Sequence, residues 1–408
     1  MPKPDIVRFP SRNGHELAAR YDAPAGRTRG TAIFAHCFTC SKDILAARRI
    51  ADGLAQKGIG VLRFDFTGLG HSDGEFANAG FTSNVEDIVA AAAWMAENIA
   101  APDLLVGHSL GGAAVLSAAG KLPGIKGLAT IGAPADPAHV AHLLRDSRAD
   151  IEKKGCATVS IAGREFEVCK TFLDDLDAQK QRQAIEQLHR DLLILHAPLD
   201  EIVGIDNAAQ IFQAARHPKS FVSLDKADHL LTRPQDAGFA ADIIAAWSSR
   251  LLPPEAVSAP KEGHVIVEPT GNGLFPHVVT AGNHTILADE PESFGGANSG
   301  LSPYELLLAG LGACTSMTMR MYADRKGWPA DHIRVDLTHA KKYVSDCEGC
   351  ETEPAKMDVI ERNITIGDAL TGEQKQRLME IADKCPVHRT LESDIRIVTA
   401  LAKDTDPA

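Results

Sequence analysis

The 408-residue chain lacks any run of about 18 apolar residues, so no helix is expected to cross a membrane. Its opening, Met1-Pro2-Lys3-Pro4-Asp5, carries no apolar signal segment, and a cytoplasmic protein without membrane contact is the expectation. Positive charge is also short: 42 Lys and Arg against 54 Asp and Glu leave a net charge of -12. With no Lys/Arg-dense face to neutralise phosphates, nucleic acid is excluded as a partner. Eight cysteines are too few for a disulfide scaffold of this length. In a reducing compartment such thiols are more often buried, catalytic or metal-bound.

What is present is ordinary soluble material, 44% hydrophobic and 24% charged, enough for a packed core throughout. The length exceeds what one core usually serves, so two domains are expected, 1–252 and 263–408. Residues 253–262 between them hold Pro253, Pro254 and Pro260 and read as a linker.

In the first domain, strand-like runs alternate with helical patterns, the rhythm of an α/β fold with a mostly parallel sheet. Strands are predicted at Gly30–His36, Ile59–Phe66, Leu104–Gly107, Ile125–Gly132, Leu192–His196 and Ser220–Leu224. Helices are predicted at Lys42–Lys57, Ser83–Ile99, Gly111–Lys121, Asn207–Ala215 and Gly238–Leu251. The alternation breaks between 133 and 190, where Ala157–Ala162 and Glu165–Cys169 read as short strands of a small lid.

Directly after the strand ending at Val106 comes Gly107-His108-Ser109-Leu110-Gly111-Gly112, then a small-residue helix. This is G-x-S-x-G in its strand-turn-helix context, with glycines where helix and strand must approach closely. A serine hydroxyl is a weak nucleophile until an imidazole takes its proton, and the imidazole needs a carboxylate to fix its tautomer. The acid candidate is Asp200, with Glu201 its neighbour and competitor, and the base candidate is His229 in Lys226-Ala227-Asp228-His229. Each follows a predicted strand. The backbone N–H groups of Phe38 and Leu110 are the candidate oxyanion hole. His108 reads as a packing and hydrogen-bonding residue. Cys37 and Cys40 are spaced like a metal hook but sit in the oxyanion loop and are not read as ligands. With these motifs and Asp65-Phe66-Thr67-Gly68-Leu69-Gly70-His71-Ser72, residues 1–250 resemble the α/β-hydrolase superfamily, which implies a serine hydrolase of esterase type. Cys37 stands where many relatives carry glycine.

Beyond the linker the pattern becomes α+β. Strands are predicted near Val265–Glu268, His277–Ala281, Thr285–Asp289, Ile333–Thr338, Asp358–Ile366 and Ile395–Leu401, with helices at Pro303–Lys326 and Thr371–Lys384. Two cysteines stand out: Cys314, among small residues of the long helix, and Cys385 in Cys385-Pro386-Val387-His388. A second reading groups Cys347 and Cys350 with Cys385 and His388 as a zinc site, since both halves have two-residue spacing. Residues 263–402 resemble the osmotically inducible protein C and organic hydroperoxide resistance (OsmC/Ohr) family, through Ser302-Pro303-Tyr304-Glu305 to Cys314 and through the Cys385 motif. The resemblance implies an intertwined homodimer, Cys314 attacked by hydroperoxide, Cys385 as resolving partner, and Glu305 as a carboxylate near the pair. The family's reducing members use an arginine from the N-terminal strands, and residues 263–301 contain none. Arg320 and Arg389 are the substitutes considered.

The hydrolase-then-OsmC order resembles a bifunctional bacterial architecture: an ester hydrolase fused to a thiol-dependent hydroperoxide reductase. It implies ester and hydroperoxide substrates, a thiol reductant, and no metal or other cofactor. The alternative is hydrolysis alone, with the C-terminal domain serving dimerisation or small-molecule binding. A further alternative keeps the hydrolase scaffold without hydrolysis.

Overall fold

A computed structural model describes residues 5–37, 40–75, 79–139, 145–161, 164–253, 260–343 and 356–402. The chain falls into two compact units, Met1–Leu287 with Gly295–Ser299, and Ala288–Phe294 with Gly300–Ala408. Of the expected linker, residues 254–259 lie outside the described residues.

The first unit opens with β1 (Asp5–Pro10), β2 (Glu16–Asp22), β3 (Gly30–Ala35), α1 (Leu45–Gln56), β4 (Ile59–Phe64) and α2 (Phe81–Asn98). Next come β5 (Leu104–His108), α3 (Leu110–Ala118) and β6 (Gly127–Ile131). An insertion follows, of α4 (Arg145–Lys154), the hairpin β7 (Cys156–Ile161) and β8 (Arg164–Cys169), α5 (Lys170–Asp177) and α6 (Gln181–Glu186). The chain then returns through β9 (Asp191–His196), α7 (Asp206–Ala214), β10 (Lys219–Ser223) and α8 (Pro234–Ser248).

Eight strands form one sheet in the order β1-β2-β4-β3-β5-β6-β9-β10, parallel from β4 to β10 and antiparallel at the β1-β2-β4 edge. The α/β architecture expected from the alternation is the one observed, and the two N-terminal edge strands add to it. The central strands are buried at every position because helices cover both faces. Side chains alternate between those faces. Ile33, Leu62 and Leu105 join Val85, Ile88, Val115 and Ile211 in one core cluster. Phe34, Val61 and Val106 join Ile50, Leu54, Ile244 and Trp247 in the other.

β11 (Ile266–Pro269), β12 (His277–Ala281) and β13 (His284–Ala288) form a separate three-stranded sheet. In the second unit, α9 (Pro303–Arg325) packs on an antiparallel ribbon of β14 (Ile333–Tyr343) and β15 (Lys356–Ile366), followed by α10 (Gly372–Ala382) and α11 (Pro386–Leu391). Ser302 and Glu305 form a capping box that starts α9, with Pro303 at its first position. The core is small: Met319, Ala323, Leu370, Leu378 and Ala382, with Trp328 and Ile364 against it.

Two expectations are corrected. Ile395–Leu401 is not a strand: it makes no ladder with any described residue, and Ile397 and Leu401 are 86% and 97% exposed. The cysteines are not all thiols. Cys37 pairs with Cys40 and Cys156 with Cys169 as disulfides, the second across the β7–β8 hairpin where the ladder sets the two residues opposite each other. Cys347 and Cys350 lie outside the described residues, so the zinc reading does too. Among the described residues no helix is long and apolar enough to cross a membrane, and no cluster of His, Cys, Asp and Glu could hold a metal ion.

Candidate functional site

The β5–α3 turn sets the geometry of the first site. Ser109 sits at its apex with φ of 55° and ψ of -126°, a region that side-chain-bearing residues rarely adopt and that costs about 1–3 kcal/mol. The flanking glycines make the turn possible. A Cβ on Gly107 would meet the Gly111 carbonyl and Gly112 Cα, and one on Gly111 would meet the carbonyls of Ala35 and His36. The elbow therefore pushes the serine side chain up while α3 lies against the end of β3.

Two loops bring the remaining groups to Ser109. His229, beyond β10, has Nε2 2.9 Å from Ser109 Oγ and Nδ1 2.7 Å from Asp200 Oδ2. Asp200 follows β9, and its other oxygen accepts from the backbone N–H groups of Ile202 and Val203, both at 2.9 Å. Burial pushes the Asp200 carboxyl up, but the His229 hydrogen bond, the Val203 N–H, the His229 charge and the Ile202 N–H together hold it below its ordinary range. An ionised Asp200 places the ring proton on Nδ1 and leaves Nε2 free to accept from the serine hydroxyl. Glu201, the competing acid, is exposed. Leu110 is the first residue of α3. Phe38 lies outside the described residues.

Three histidines that end strands of the sheet, or follow directly on one, brace these loops. His108, fully buried at the end of β5, has Nε2 2.7 Å from the His229 carbonyl. His196, buried at the end of β9, has Nε2 2.7 Å from the Val203 carbonyl and so ties down the loop that carries Asp200. His36, just beyond β3, has Nδ1 2.8 Å from the Cys37 carbonyl in the oxyanion loop. A carbonyl only accepts, so each of these nitrogens carries the proton. The other nitrogens of His108 and His196 have no partner among the described residues, as suits neutral rings in apolar surroundings. Burial lowers all three pKa values, that of His108 to about 3 with the nearby His229 charge adding to the effect. The sequence reading gives His108 as a packing and hydrogen-bonding residue, without its partner, and does not single out the other two. The signal was a histidine at the end of a predicted apolar strand.

In the second unit the structure brings Cys314 and Cys385 into hydrogen-bond contact. They are the free cysteines among the described residues, Cys314 half-buried on α9 and Cys385 fully buried at the start of α11. Burial pushes the Cys385 thiol up, yet hydrogen bonds from the His388 N–H, Cys314, the Thr315 hydroxyl and the Val387 N–H outweigh it and leave the pKa lowered. Glu305 is not brought to this pair within the chain. It sits nine residues before Cys314 on α9, about 13 Å along the axis, and its carboxylate accepts from the Ser302 N–H at 2.7 Å. Arg389, on α11, donates its backbone N–H to the Cys385 carbonyl at 3.1 Å, and Arg362 of β15 reaches Thr315, with Nη1 3.0 Å from Oγ1.

Fold and site geometry together define an α/β hydrolase. Residues 26–160 match the family profile described as serine aminopeptidase, S33, and residues 296–400 match that of OsmC-like protein. The esterase domain of a Rhodothermus marinus protein is 46% identical, covering 61% of this chain and 98% of that one, with a TM-score of 0.51. Est1E from Butyrivibrio proteoclasticus, in a structure with bound ferulic acid, shares the fold at 18% identity, 60% and 98% coverage and a TM-score of 0.51. An uncharacterized protein, YfhR of Salmonella typhi, is 24% identical over 229 residues, 55% of this chain and 74% of its own length. The chain belongs to the esterase-like α/β hydrolases and carries an OsmC-like domain behind its hydrolase domain.

A buried neutral histidine makes stability depend on acid. With its folded pKa near 3, against an ordinary 6.5, His108 resists a proton that the unfolded chain accepts. Its contribution is full above pH 6.5 and is lost as pH falls toward 3. His108→Gln, which keeps a donor for the His229 carbonyl but does not titrate, is expected to retain roughly 3 kcal/mol more of its neutral-pH stability at pH 4.5 than wild type does. Urea unfolding of both proteins at pH 7.5 and 4.5 measures it.

Proposed function

We propose that the hydrolase domain is a serine carboxylic-ester hydrolase working through an acyl-enzyme on Ser109. The observation that carries this reading is the continuous line from Asp200 Oδ2 to His229 to Ser109 Oγ, at 2.7 and 2.9 Å. Ser109 Oγ attacks the ester carbonyl carbon while His229 Nε2 takes its proton, and Asp200 balances the imidazolium. The oxyanion accepts from the Leu110 N–H, with Phe38 as the expected second donor. His229 then protonates the departing alcohol. Water, deprotonated by the same ring, attacks the acyl-enzyme and releases the acid.

Ser109→Ala is expected to abolish p-nitrophenyl ester hydrolysis and fluorophosphonate labelling together. Asp200→Asn should lower kcat by at least about a thousandfold, with KM little changed. Ester turnover that survives Ser109→Ala would sink the mechanism.

For the OsmC-like domain the reading is thiol-dependent reduction of organic hydroperoxides by Cys314 and Cys385, with an external dithiol restoring the pair. Contact between the two free cysteines supports it. With an organic hydroperoxide and a dithiol supplied, Cys314→Ser should lose turnover while Ser109→Ala keeps it. Absence of turnover in wild type, with ester hydrolysis intact, would favour the alternative of a dimerisation or binding module.

Homodimerisation through the C-terminal domain belongs to the same reading. Residues 395–401 alternate toward an apolar face, yet Ile395, Ile397, Val398 and Leu401 are 57%, 86%, 78% and 97% exposed. A segment of that composition without a ladder suits pairing with a second copy. Light scattering should give a dimer for the full chain and a monomer once residues 394–408 are removed. A truncated protein that stays dimeric would rule out the tail as the pairing element.

A further inference from the structure

Arg362 lies in the middle of β15, opposite Leu337 of β14. Its side chain is 12% exposed and its donors are committed: Nη1 to Thr315 Oγ1 at 3.0 Å and to the Ala382 carbonyl at 3.3 Å, Nη2 to Asp383 Oδ1 at 2.7 Å. The guanidinium thus ties β15 to α9 and to the end of α10, the two helices that deliver Cys314 and Cys385.

Thr315 decides what this does to the sulfurs. It is fully buried, and a hydroxyl has one proton to donate and two lone pairs. Arginine only donates, so the Arg362 bond occupies a lone pair of Oγ1 and leaves the hydroxyl proton for another acceptor. The contact that receives it is Cys385. Cys385 thereby collects donors from Thr315, from the Val387 and His388 backbone, and from Cys314, while Cys314 remains the more accessible sulfur.

We infer that Arg362 is a positioning residue of the thiol pair: through the Thr315 hydroxyl it fixes Cys385 as the sulfur that accepts the Cys314 proton. The inference rests on the hydroperoxide reading above and gives that site a direction. Cys314 passes its proton to the Cys385 thiolate and attacks the terminal oxygen of the hydroperoxide. A sulfur–oxygen bond forms, the O–O bond breaks, and the alkoxide takes a proton and leaves as the alcohol. The Cys385 thiol then attacks the Cys314 sulfenic acid, water leaves, and the Cys314–Cys385 disulfide remains. Two electrons from a dithiol return both sulfurs to the starting state.

The test is the thiolate ultraviolet absorbance of the full chain carrying Cys314→Ser, Cys347→Ser and Cys350→Ser, titrated against pH, so that Cys385 is the thiol observed. Arg362→Met and Thr315→Val are each expected to raise the midpoint by about one pH unit, the worth of one good hydrogen bond. The double variant should rise no further than the larger single change, and Arg362→Lys should recover part of the shift. Thr315→Val, nearly isosteric, carries the test if Arg362→Met does not fold. An unchanged midpoint in either folded variant, or effects that simply add, would overturn the relay. No peroxide enters this titration, so a shifted midpoint in a protein without hydroperoxide turnover would uphold the positioning role and refute the hydroperoxide reading alone.

Discussion

The hydrolase unit depends on one close approach of backbone to backbone. α3 can follow β5 without a spacer only if nothing projects from Gly107 and Gly111, because the positions a Cβ would take are filled by the Gly111 carbonyl on one side and by the carbonyls of Ala35 and His36 on the other. That contact forces Ser109 to a positive φ and fixes its height above the sheet. Once the serine is fixed, the loops after β9 and β10 must meet it to within a few tenths of an ångström, since a general base beyond hydrogen-bond reach does nothing.

Loops are ordinarily the least constrained parts of a fold, which makes the strand-end histidines important. His108 holds the carbonyl of His229 itself, and His196 spans the acid loop from its first residue to Val203. Each is buried in the rigid sheet and reaches out to a loop, so the precision of the sheet is passed to the site. Neutrality is the condition for this. A charged ring in the same place would need a second acceptor that neither His108 nor His196 has among the described residues. Below the oxyanion loop the sheet makes a different choice and buries charge as matched pairs. Asp65 accepts from the Lys42 ammonium at 2.7 Å, and Arg63 donates to Asp22 at 2.6 and 3.1 Å.

Much of this was legible in the sequence because it is local. The elbow needs its glycines next to its serine, and central parallel strands need nearly continuous apolar runs, so β3, β4, β5, β6 and β9 were predicted close to where they lie. β1 and β2 escaped notice because, at the antiparallel end of the sheet, they carry Arg8, Glu16 and Arg20 and lose the apolar continuity that marks their parallel neighbours. Pairing across distance was harder. Cys156 and Cys169 meet because the β7–β8 register sets them opposite each other, and nothing in their spacing said so. Arg362 was overlooked for a related reason: sequence places it 48 residues from Cys314, and only the β14–β15 ribbon turns it toward α9. The Ile395–Leu401 pattern was read as a strand, but a strand needs a partner as well as a pattern.

The two candidate sites solve one electrostatic problem in different ways. A weak nucleophile must lose a proton to a neighbour whose own state is fixed by a third group. At the first site the neighbour is His229 and the third group is an ionised Asp200, so the burden falls on a buried charge held by two backbone N–H groups. At the second the neighbour is Cys385, and the third group is the uncharged Thr315 hydroxyl, itself oriented by Arg362. The difference follows from the acids involved. An imidazole must become a cation to accept a proton and therefore needs an anion beside it, whereas a thiolate becomes neutral and needs only donors that favour its charged form beforehand. A carboxylate beside Cys385 would raise its pKa and oppose the donors that favour the thiolate there. Glu305 is committed instead to the capping box that starts α9, where its carboxylate accepts from the Ser302 N–H.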